Sequence, residues 1–483
     1  MLEDIIGERK QKLEKWRAFG DPYPPRVKKS DGAKFLAENF SKLEKTKKKI
    51  SLDGRVTSIR DQGNILFVDV QDELGRIQAV LNKRETKNFS AVKASLDAGD
   101  FLSVSGTLFK TKKGEKSVLA KDALIVAKSL RPIPKEWFGL EDVETKLRKR
   151  YLDSIVNPHV RELFRKKNSF WRTVRDFLMD EGFLEVENPV LEAVPGGAEA
   201  EPFVTHHNAL DEDFYLRISL ELPLKKMLVG GFEKVFEIGR IFRNEGIDRE
   251  HLQDYTQMEV YWAYADYNDM MKLTEKLYKK IVRNVCGSMK SKKGSEIIDW
   301  SKPLKKVEYF DLFKKYAGID LAKASQEDLK REAKKRKIDF GPGDGKGRLI
   351  DLIYKKTVRP HLVQPCFLVN PPVEIEPLAK RIPDDPRRVE RFQIMAGGTE
   401  LGKGFSELND PIDQKKRFEE QAALREGGDK EAQMMNEDFV EALEYGMPPA
   451  AGFGMSERFF SVLLDMSIRE TVYFPLMRKE KHA

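Results

Sequence analysis

The sequence predicts an α+β protein, with a small N-terminal β-barrel followed by a larger domain built on an antiparallel sheet flanked by helices. Five short runs of alternating residues lie between Ile50 and Lys128, and a helical segment separates the third run from the fourth. That order is typical of the five-stranded Greek-key barrel of the OB type. Farther along, apolar residues recur at helical spacing before Gly182, and two strand-like runs lie between Phe236 and Tyr267.

The composition restricts the class of protein. The chain has 87 Lys and Arg against 79 Asp and Glu, a formal charge of +8 that is compatible with a polyanionic partner such as RNA. Cys286 and Cys366 form no CxxC pair, which argues against a disulfide framework or a thiolate zinc site and predicts buried thiols. Charges interrupt every apolar stretch, so we expect neither a signal peptide nor a membrane span, and a cytoplasmic location.

Four segments are predicted along the chain. Residues 1–47 form a solvated helical arm, residues 48–130 form the barrel, and residues 131–150 form a proline-stiffened linker. Residues 151–483 form the large domain, with a Lys-rich helical insertion at about 287–347. The insertion contains GPGDGKG, which lacks the GxxxxGK[ST] spacing of a phosphate loop. We therefore expect a flexible turn there.

The two runs after Phe236 hold the residues best suited to a binding site. Glu259 and Tyr261 alternate with apolar residues in the second run, so they share one face of a half-buried strand. Arg243 can form two parallel bonds to a carboxylate or a phosphate, whereas Glu259 can hold an amine. Glu245 and His251 can bond to the edge of a purine. An edge hairpin with solvated charges is the simpler alternative.

The string FRNEG, followed by an acidic and aromatic strand, resembles the second signature motif of class II aminoacyl-tRNA synthetases. The resemblance covers nearly the whole chain and is closest to the bacterial-type lysyl-tRNA synthetases of subclass IIb. The helix before Gly182, with the strand FLEVENPVL and its Pro189, resembles motif 1, which builds the dimer interface in that family. The resemblance rests on GRIQAVL, LRKRYLD, VPGGAEAEPFVTHHNALDEDFYLRISLEL, VGGFEKVFEIGRIFRNEGI, HLVQP, GTELGKGFSELND and SIRETVYFPLMR.

The resemblance implies a cytoplasmic homodimer that attaches L-lysine to tRNA(Lys) through a lysyl-adenylate made from ATP. It also implies Mg²⁺ on the ATP phosphates, in a number that the sequence leaves open. Such a reaction needs positioning and cationic groups rather than a side-chain nucleophile. Two alternatives remain: an aspartyl- or asparaginyl-type synthetase of the same subclass, and a catalytically degenerate paralogue that binds tRNA.

The resemblance also assigns roles to single residues. A bound lysine brings an ammonium group into a partly dry pocket, which requires carboxylates around it. Glu221, Glu407 and Tyr261 occupy the family positions for that task, and Glu259 with the Gly197 carbonyl would hold the α-amine. The other assignments are Arg243 on the lysine carboxylate and α-phosphate, Arg458 on the γ-phosphate, Glu245 and His251 near adenine and the bent triphosphate, Tyr255 stacked on the base, and Phe405 packed in the lysine pocket.

The large domain departs from the family pattern at several positions. Gln393 replaces one of two metal-binding carboxylates, which leaves Glu400, with Glu407 as a further candidate metal ligand. Lys403 replaces an Asn beside the substrate, and we hypothesise that its ammonium contacts substrate carboxylate or phosphate in place of part of the metal charge. Motif 3, residues 452–458, is one residue short and lacks its third glycine, which leaves the reach of its arginine open.

The barrel has its own predicted site. Phe67 and Gln78 match positions that, in the family, stack on and hydrogen-bond to an anticodon base, and Asp122 replaces a usual glutamate. Arg60 is expected to contact the RNA backbone. Aromatic stacking combined with reading of a base edge is how OB barrels bind unpaired nucleotides. The alternative for Phe67 is an aromatic residue of the barrel core.

Overall fold

The computed structural model describes residues 2–28, 30–134, 142–246, 251–341, 343–429 and 431–479. The chain forms two compact units, residues 1–141 and residues 142–483. The predicted linker lies partly outside the described residues. None of the helices in the described ranges combines the length and the apolar character that a bilayer crossing requires.

The first unit is a closed five-stranded barrel, and three helices of the described part precede its first strand in the sequence. Its elements are α1 Leu2–Arg17, α2 Ala33–Glu38, α3 Phe40–Thr46, β1 Ile50–Asp61, β2 Ile65–Gln71, β3 Arg76–Asn82, α4 Phe89–Ser95, β4 Phe101–Lys110 and β5 Lys116–Ala127. The strand order is β1-β2-β3-β5-β4, and β1 closes the barrel against β4. Leu66, Val68 and Val70 of β2 are buried inside it. The OB-type prediction, including a helix between the third and fourth strands, is confirmed.

The first helix belongs to the core of this unit. Trp16 is only 1% exposed, and Leu13 is also buried. The Arg9 guanidinium donates to the carbonyl oxygens of Ser129 at 2.9 Å and Ala98 at 3.0 Å. The prediction of a solvated arm is therefore wrong for α1. The apolar residues that it buries are widely spaced among charges, which hid the buried face in the sequence.

The second unit alternates helices with short strands. Up to the predicted insertion, its elements are α5 Val143–Arg148, α6 Arg150–Val156, α7 Pro158–Asp180, β6 Leu184–Glu185, β7 Leu191–Glu192, β8 Val204–His207, β9 Glu212–Leu216, α8 Glu221–Val229, β10 Lys234–Phe242, β11 Asp254–Ala263 and α9 Tyr267–Cys286. The remaining elements are β12 Lys290–Lys293, β13 Glu296–Asp299, β14 Lys305–Glu308, α10 Tyr309–Ala317, α11 Gln326–Lys335, α12 Lys346–Thr357, β15 Cys366–Val369, β16 Arg381–Ile382, β17 Asp385–Val389, β18 Arg391–Ala396, β19 Thr399–Ser406, α13 Pro411–Glu426, α14 Glu437–Glu444, β20 Ala450–Ser456 and α15 Arg458–Leu463, with short 3₁₀ helices at Arg359–His361, Val373–Ile375 and Ile468–Thr471.

An eight-stranded sheet organises the second unit, in the order β14-β15-β18-β19-β20-β11-β10-β6. Its interior pairs are antiparallel, as predicted, and the pair at each edge is parallel. Helices α7, α9 and α15 pack on the face that carries Met258 and Val260. Helices α8, α13 and α14 pack on the opposite face, which carries Tyr261 and Phe405. The predicted alternation along β11 is thus confirmed.

Two predicted elements differ in the structure. The motif 1 strand is reduced to the two-residue strands β6 and β7, because only Leu184 and Glu185 reach the sheet edge beside β10. The predicted helical insertion begins with the hairpin β12–β13 and the edge strand β14, and only then forms α10 to α12. Strand β14 exists because β15 offers it a parallel partner, a contact that local sequence does not encode.

Candidate active site

Three neighbouring strands and one helix end bring the predicted lysine-binding residues together. Glu259 and Tyr261 on β11 lie opposite Gly454 and Gly452 on β20. Glu407 directly follows β19, and its backbone N–H donates to the carbonyl oxygen of Ala450 at 2.8 Å. Helix α8 begins at Glu221. All four polar side chains are buried on the same face of the sheet.

A lysine that the sequence analysis missed lies between the two predicted acids. Lys225 Nζ donates to Glu221 Oε1 at 2.6 Å and forms an ion pair with Glu407 Oε2. The side chains of Lys225 and Glu407 have no exposed surface, and that of Glu221 is 5% exposed. The Lys225 ammonium also lies 5.4 Å from the ring centroid of Phe405. The predicted acid pair therefore exists, and it already contains one cation.

The other oxygen of Glu407 has no hydrogen-bond partner among the described residues. A β-carbon added at Gly452 would come within 2.3 Å of Glu407 Oε1 and 2.4 Å of Tyr261 Cε1. Glycine in motif 3 is thus required by the close approach of these two side chains. An orphaned, buried carboxylate oxygen is costly unless a donor reaches it. A hydrogen-bond donor that reached Oε1 would remove this cost.

Glu259 is held in one orientation by its neighbours. Its Oε1 accepts hydrogen bonds from Ser219 Oγ at 2.7 Å, from the Leu220 N–H at 3.0 Å and from Gln257 Nε2 at 2.5 Å. Its Oε2 accepts a hydrogen bond from the Tyr261 hydroxyl at 2.9 Å. Such a network fixes a charged group in advance of binding, so that little reorganisation is needed when an amine arrives.

The two acids, Glu221 and Glu407, share a single cation, Lys225. Burial raises the pKa of Glu221 to about 7, although Lys225 acts in the opposite direction. Burial likewise raises the pKa of Glu407 well above its ordinary value. For Lys225, burial alone would lower the pKa, but the two acids raise it above its ordinary value. The lysine is therefore charged, and a second cation would stabilise the ionised form of both acids.

Gly197 and Phe405 complete this region. Gly197 has φ +82°, and a β-carbon there would come within 2.8 Å of the Glu221 β-carbon and 3.0 Å of the Ser219 side chain. Only glycine allows the chain to pass so close to the acid. Phe405 is buried in the core beneath Lys225, and the structure gives it a packing position.

Three of the predicted nucleotide-binding residues, Arg243, Arg458 and Glu245, lie near Tyr255. The Arg243 guanidinium donates to the Ile218 carbonyl oxygen at 3.2 Å, and its central carbon lies 5.7 Å from the Tyr255 ring centroid. Burial raises the pKa of Tyr255, while the charges of Arg243 and Arg458 act in the opposite direction. Both guanidinium groups therefore lie near this ring. Glu245 is half-buried, and its charge also raises the pKa of Tyr255. His251 is half-buried too, and residues 247–250 before it are outside the described ranges.

The departures at Gln393 and Lys403 fall on directly paired positions of β18 and β19. Gln393 Nε2 donates to Glu400 Oε2. Lys403 Nζ donates to Glu376 Oε2 at 2.9 Å, and the Arg391 guanidinium lies 3.3 Å from the same oxygen. Burial alone would lower the pKa of Lys403, but Glu376 raises it above its ordinary value. Lys403 is thus a cation held in place by its ion pair with Glu376.

The predicted metal ligands do not form a closed cage. No group of three or more His, Cys, Asp or Glu in the described ranges has the arrangement to hold a metal ion. Glu400 accepts a bond from Gln393, whereas Glu407 is paired with Lys225. Glu400 fits a Mg²⁺ ion held mostly by phosphate and water, because that ion needs only one or two protein carboxylates. Glu407 could offer a metal ion only its Oε1, because the Lys225 ammonium is paired with its Oε2.

The barrel places two of its predicted residues on one outer face. Phe67 is half-buried beside Arg60, whose guanidinium carbon lies 5.5 Å from the Phe67 ring centroid. Gln78 lies on the neighbouring strand, is buried, and accepts a hydrogen bond from Ser117 Oγ at 3.0 Å. Asp122 accepts a hydrogen bond from Asn88 Nδ2 at 2.7 Å. Phe67 is therefore outside the barrel core, which is filled by its neighbours in β2.

Comparison with known proteins decides the family. Residues 142–478 match the family described as tRNA synthetases class II (D, K and N), and residues 50–126 match the OB-fold nucleic acid binding domain. The chain belongs to the class II tRNA synthetases. It is similar to the lysine–tRNA ligase of Roseiflexus sp., with 44% identity over 486 residues that cover 99% of each chain. The lysine–tRNA ligase of Thermotoga maritima is 42% identical over 490 residues, which cover 100% of this chain and 97% of the other.

The resemblance to lysyl-tRNA synthetases of class II is thereby confirmed, and so is the two-part α+β fold. A third relative, the lysine–tRNA ligase of Pelotomaculum thermopropionicum, is 43% identical over 484 residues, which cover 99% of this chain and 95% of that protein. The alignments with these three relatives therefore cover nearly the whole of this chain. The roles of single residues remain proposals.

Sequence reasoning missed three buried residues of this synthetase site. Lys225 follows Glu221 by four positions, a spacing at which helix side chains meet, so one signal for it was present. Glu376, in the loop after a 3₁₀ helix, and Arg391, at the start of β18, gave no local signal. Their ion pair joins segments that come together only in the folded sheet.

If Lys403 lies near the substrate phosphate, as hypothesised above, Lys403→Asn should lower the rate of lysine-dependent pyrophosphate exchange by at least about tenfold, because a cation near developing phosphate charge is lost. The variant should also need more Mg²⁺ for half-maximal rate. Exchange assays over a titration of MgCl₂ measure both effects. The exposed Lys380, which bonds to Asn409, supplies the matched control Lys380→Asn. Unchanged rates with unchanged Mg²⁺ dependence would reject the role given to Lys403.

Proposed function

We propose that this synthetase attaches L-lysine to tRNA(Lys) in two steps, through a lysyl-adenylate made from ATP. One observation carries the choice of lysine: the buried Glu407 carboxylate has one oxygen paired with Lys225 and the other without a partner among the described residues. A terminal ammonium group is the donor that satisfies such an oxygen and also supplies the missing positive charge.

The charge of the pocket supports a cationic amino acid over an acidic one. Glu221 and Glu407 carry two negative charges when ionised, and Lys225 neutralises one of them. A lysine side chain brings the pocket to neutrality. An aspartate side chain would add a third carboxylate to a buried site, which is strongly unfavourable. An asparagine would leave the excess charge without a counter-ion. The pocket thus disfavours the aspartyl- and asparaginyl-type alternatives.

The first step would join the lysine carboxylate to the α-phosphorus of ATP, with release of pyrophosphate. In this proposal Arg243 holds the carboxylate and the α-phosphate, and Arg458 holds the γ-phosphate, so that the nucleophile and the leaving group lie in line. Glu259 and the Gly197 carbonyl hold the α-amine, while Tyr255, Glu245 and His251 hold the adenine end. When bound, Mg²⁺ at Glu400 would offset phosphate charge.

In the second step a terminal ribose hydroxyl of tRNA would take the lysyl group, and AMP would leave. We propose that the barrel binds the anticodon, because Phe67 and Arg60 present a ring face and a cation on its outer surface beside Gln78. Asp122 is a further candidate contact. A tRNA substrate is consistent with the expected cytoplasmic location.

We also propose a homodimer that forms through the motif 1 region. Apolar side chains of that region are exposed to solvent, among them Met179 at 56%, Leu184 at 50% and Leu191 at 46%. Strand β6 is an edge of the large sheet, and such an edge can pair with a second copy. Sedimentation of the purified protein over a range of concentrations tests this proposal, and a monomer at micromolar concentration would contradict it.

Pyrophosphate exchange with the purified full chain tests the proposed function. We expect exchange that depends on L-lysine and ATP, and none with L-aspartate or L-asparagine. Exchange driven by aspartate would show that aspartate, rather than lysine, is the substrate. Absence of exchange with every amino acid, together with binding of tRNA, would instead support a degenerate tRNA-binding paralogue.

A further inference from the structure

Positive charge is dense in one small part of the second unit. Residues 309–361, which contain α10, α11 and α12, hold 14 Lys and Arg against 8 Asp and Glu. These helices enclose their own apolar cluster, with Phe313, Leu329 and Ile353 in its centre. The charge is therefore carried on the outside of a compact substructure.

The C-terminal ends of the three helices converge. Arg336, which caps α11, donates to the carbonyl oxygen of Ala317, the last residue of α10. Tyr316 of α10 stacks on His361, just beyond α12, with ring centroids 4.1 Å apart and planes inclined by 7°. The cations at these ends are Lys314, Lys315, Lys334, Lys335, Arg336, Lys337, Lys355, Lys356 and Arg359.

Helix dipoles and nearby carboxylates neutralise only some of these cations. Three helix C-termini contribute about −1.5 charges in total through their dipoles. Ion pairs tie Lys314 to Asp320, Lys335 and Arg336 to Glu332, and Lys355 to Asp351. By contrast, the exposed residues Lys315, Lys334, Lys337 and Lys356 form no ion pair with any carboxylate in the described part of the chain. We call these four lysines, with the Tyr316–His361 stack, the basic end.

We infer that the basic end is a binding surface for the phosphate backbone of RNA, outside the region that the barrel reads. Lysines without a carboxylate partner bind phosphate as point charges and release condensed counter-ions on binding. Lys315 lies 4.9 Å from the Tyr316 ring centroid, and the exposed His361 ring of the stacked pair adds a face on which a base can rest. The choice of RNA over other polyanions rests on the proposed function, which already requires a tRNA substrate.

The test compares two triple variants of the full chain, each of which removes three exposed lysines. One carries Lys315→Gln, Lys337→Gln and Lys356→Gln in the basic end. The matched control carries Lys276→Gln, Lys415→Gln and Lys416→Gln, on α9 and α13, which are exposed and have no ion pair with a described residue. An unmodified transcript of a lysine tRNA is the probe, and a filter-binding titration over several salt concentrations gives the Kd.

We expect the basic-end variant to bind the transcript about tenfold more weakly at 0.1 M salt, and the slope of log Kd against log salt to fall by about two. The control variant should match the parent. Binding of an isolated anticodon stem-loop should be the same for all three proteins, and so should lysine-dependent pyrophosphate exchange, which needs no RNA. If the parent protein showed no lysine-dependent exchange, the proposed function would be contradicted. The inference about RNA binding would still stand or fall on the filter-binding result.

Three results would overturn the inference. The first is that neither triple variant changes the transcript affinity and the salt slope, or that both variants change them equally. The second is an equal loss of affinity for the anticodon stem-loop. The third is unchanged RNA binding together with weaker binding to vesicles of phosphatidylcholine and phosphatidylserine, which would assign the surface to an anionic membrane instead.

Discussion

Replacement of Lys225 by Met is expected to lower the free energy of unfolding of the catalytic unit by about 3–5 kcal/mol, because it leaves two buried carboxylates without their shared cation. Met matches the length of the apolar stem, so the loss reflects charge rather than volume. Urea denaturation followed by tryptophan fluorescence measures it, since Trp262 and Trp300 lie in this unit.

The effect of Lys225→Met should also depend on pH in a defined direction. Without the ammonium, the folded-state pKa of Glu221 and Glu407 rises further above the unfolded-state value. A carboxyl group whose pKa is raised by folding makes the protein less stable as the pH rises above the unfolded-state pKa. The variant should therefore lose more stability at pH 8 than at pH 6, relative to the parent.

The next residue in the chain supplies the control for this variant. Lys226 has a side chain that is 35% exposed, and its partner Asp438 is 82% exposed. Exposed pairs contribute little, so Lys226→Met should change the stability by less than about 1 kcal/mol. Equal losses for the two variants would show that the buried ion pairs of Lys225 contribute nothing particular to the fold.

The second large effect is expected from Glu407→Gln, which should reduce kcat/KM for lysine in pyrophosphate exchange by about 10²- to 10³-fold. The amide removes the charge that meets the substrate ammonium and places an N–H pair beside that cation. Most of the loss should lie in the KM for lysine, whereas the KM for ATP should stay near that of the parent. Steady-state exchange rates over both substrates separate the two effects.

Glu419 on α13 is exposed, and Glu419→Gln provides a control with the same change of chemical group. It should leave both KM values unchanged. A Glu407→Gln protein that keeps the KM of the parent for lysine would remove Glu407 from the pocket. Because Lys225 remains paired with Glu221 in this variant, the unfolding midpoint should change much less than in Lys225→Met.

The parts of the fold that the sequence predicted are those with a local repeating pattern. Alternation in β2 and β11 identified strands with one buried face, and the helical spacing before Gly182 identified α7. Strand β14 and the buried face of α1 were missed, because the first depends on a partner strand and the second on contact with the barrel. Local pattern cannot report either contact.

The same distinction applies to the site. Glu221, Glu259, Tyr261 and Glu407 were found from motifs, and the structure does bring them to one face of the sheet. Local spacing could not show that Lys225 lies between two acids, because the second acid, Glu407, is 182 positions away in the chain. Glu376 and Arg391 were missed for the same reason. They change the setting of Lys403, which is paired rather than unattached.

The single cation already enclosed with the two acids also determines which modified amino acids the enzyme can use. Once Lys225 is counted, the two ionised acids keep one negative charge without a counter-ion. An acetyl cap on the ε-nitrogen of the free amino acid removes the cation that would balance this charge and adds bulk where the Gly452 backbone passes. Discrimination against acylated lysine would then arise at first binding, with no separate hydrolytic step.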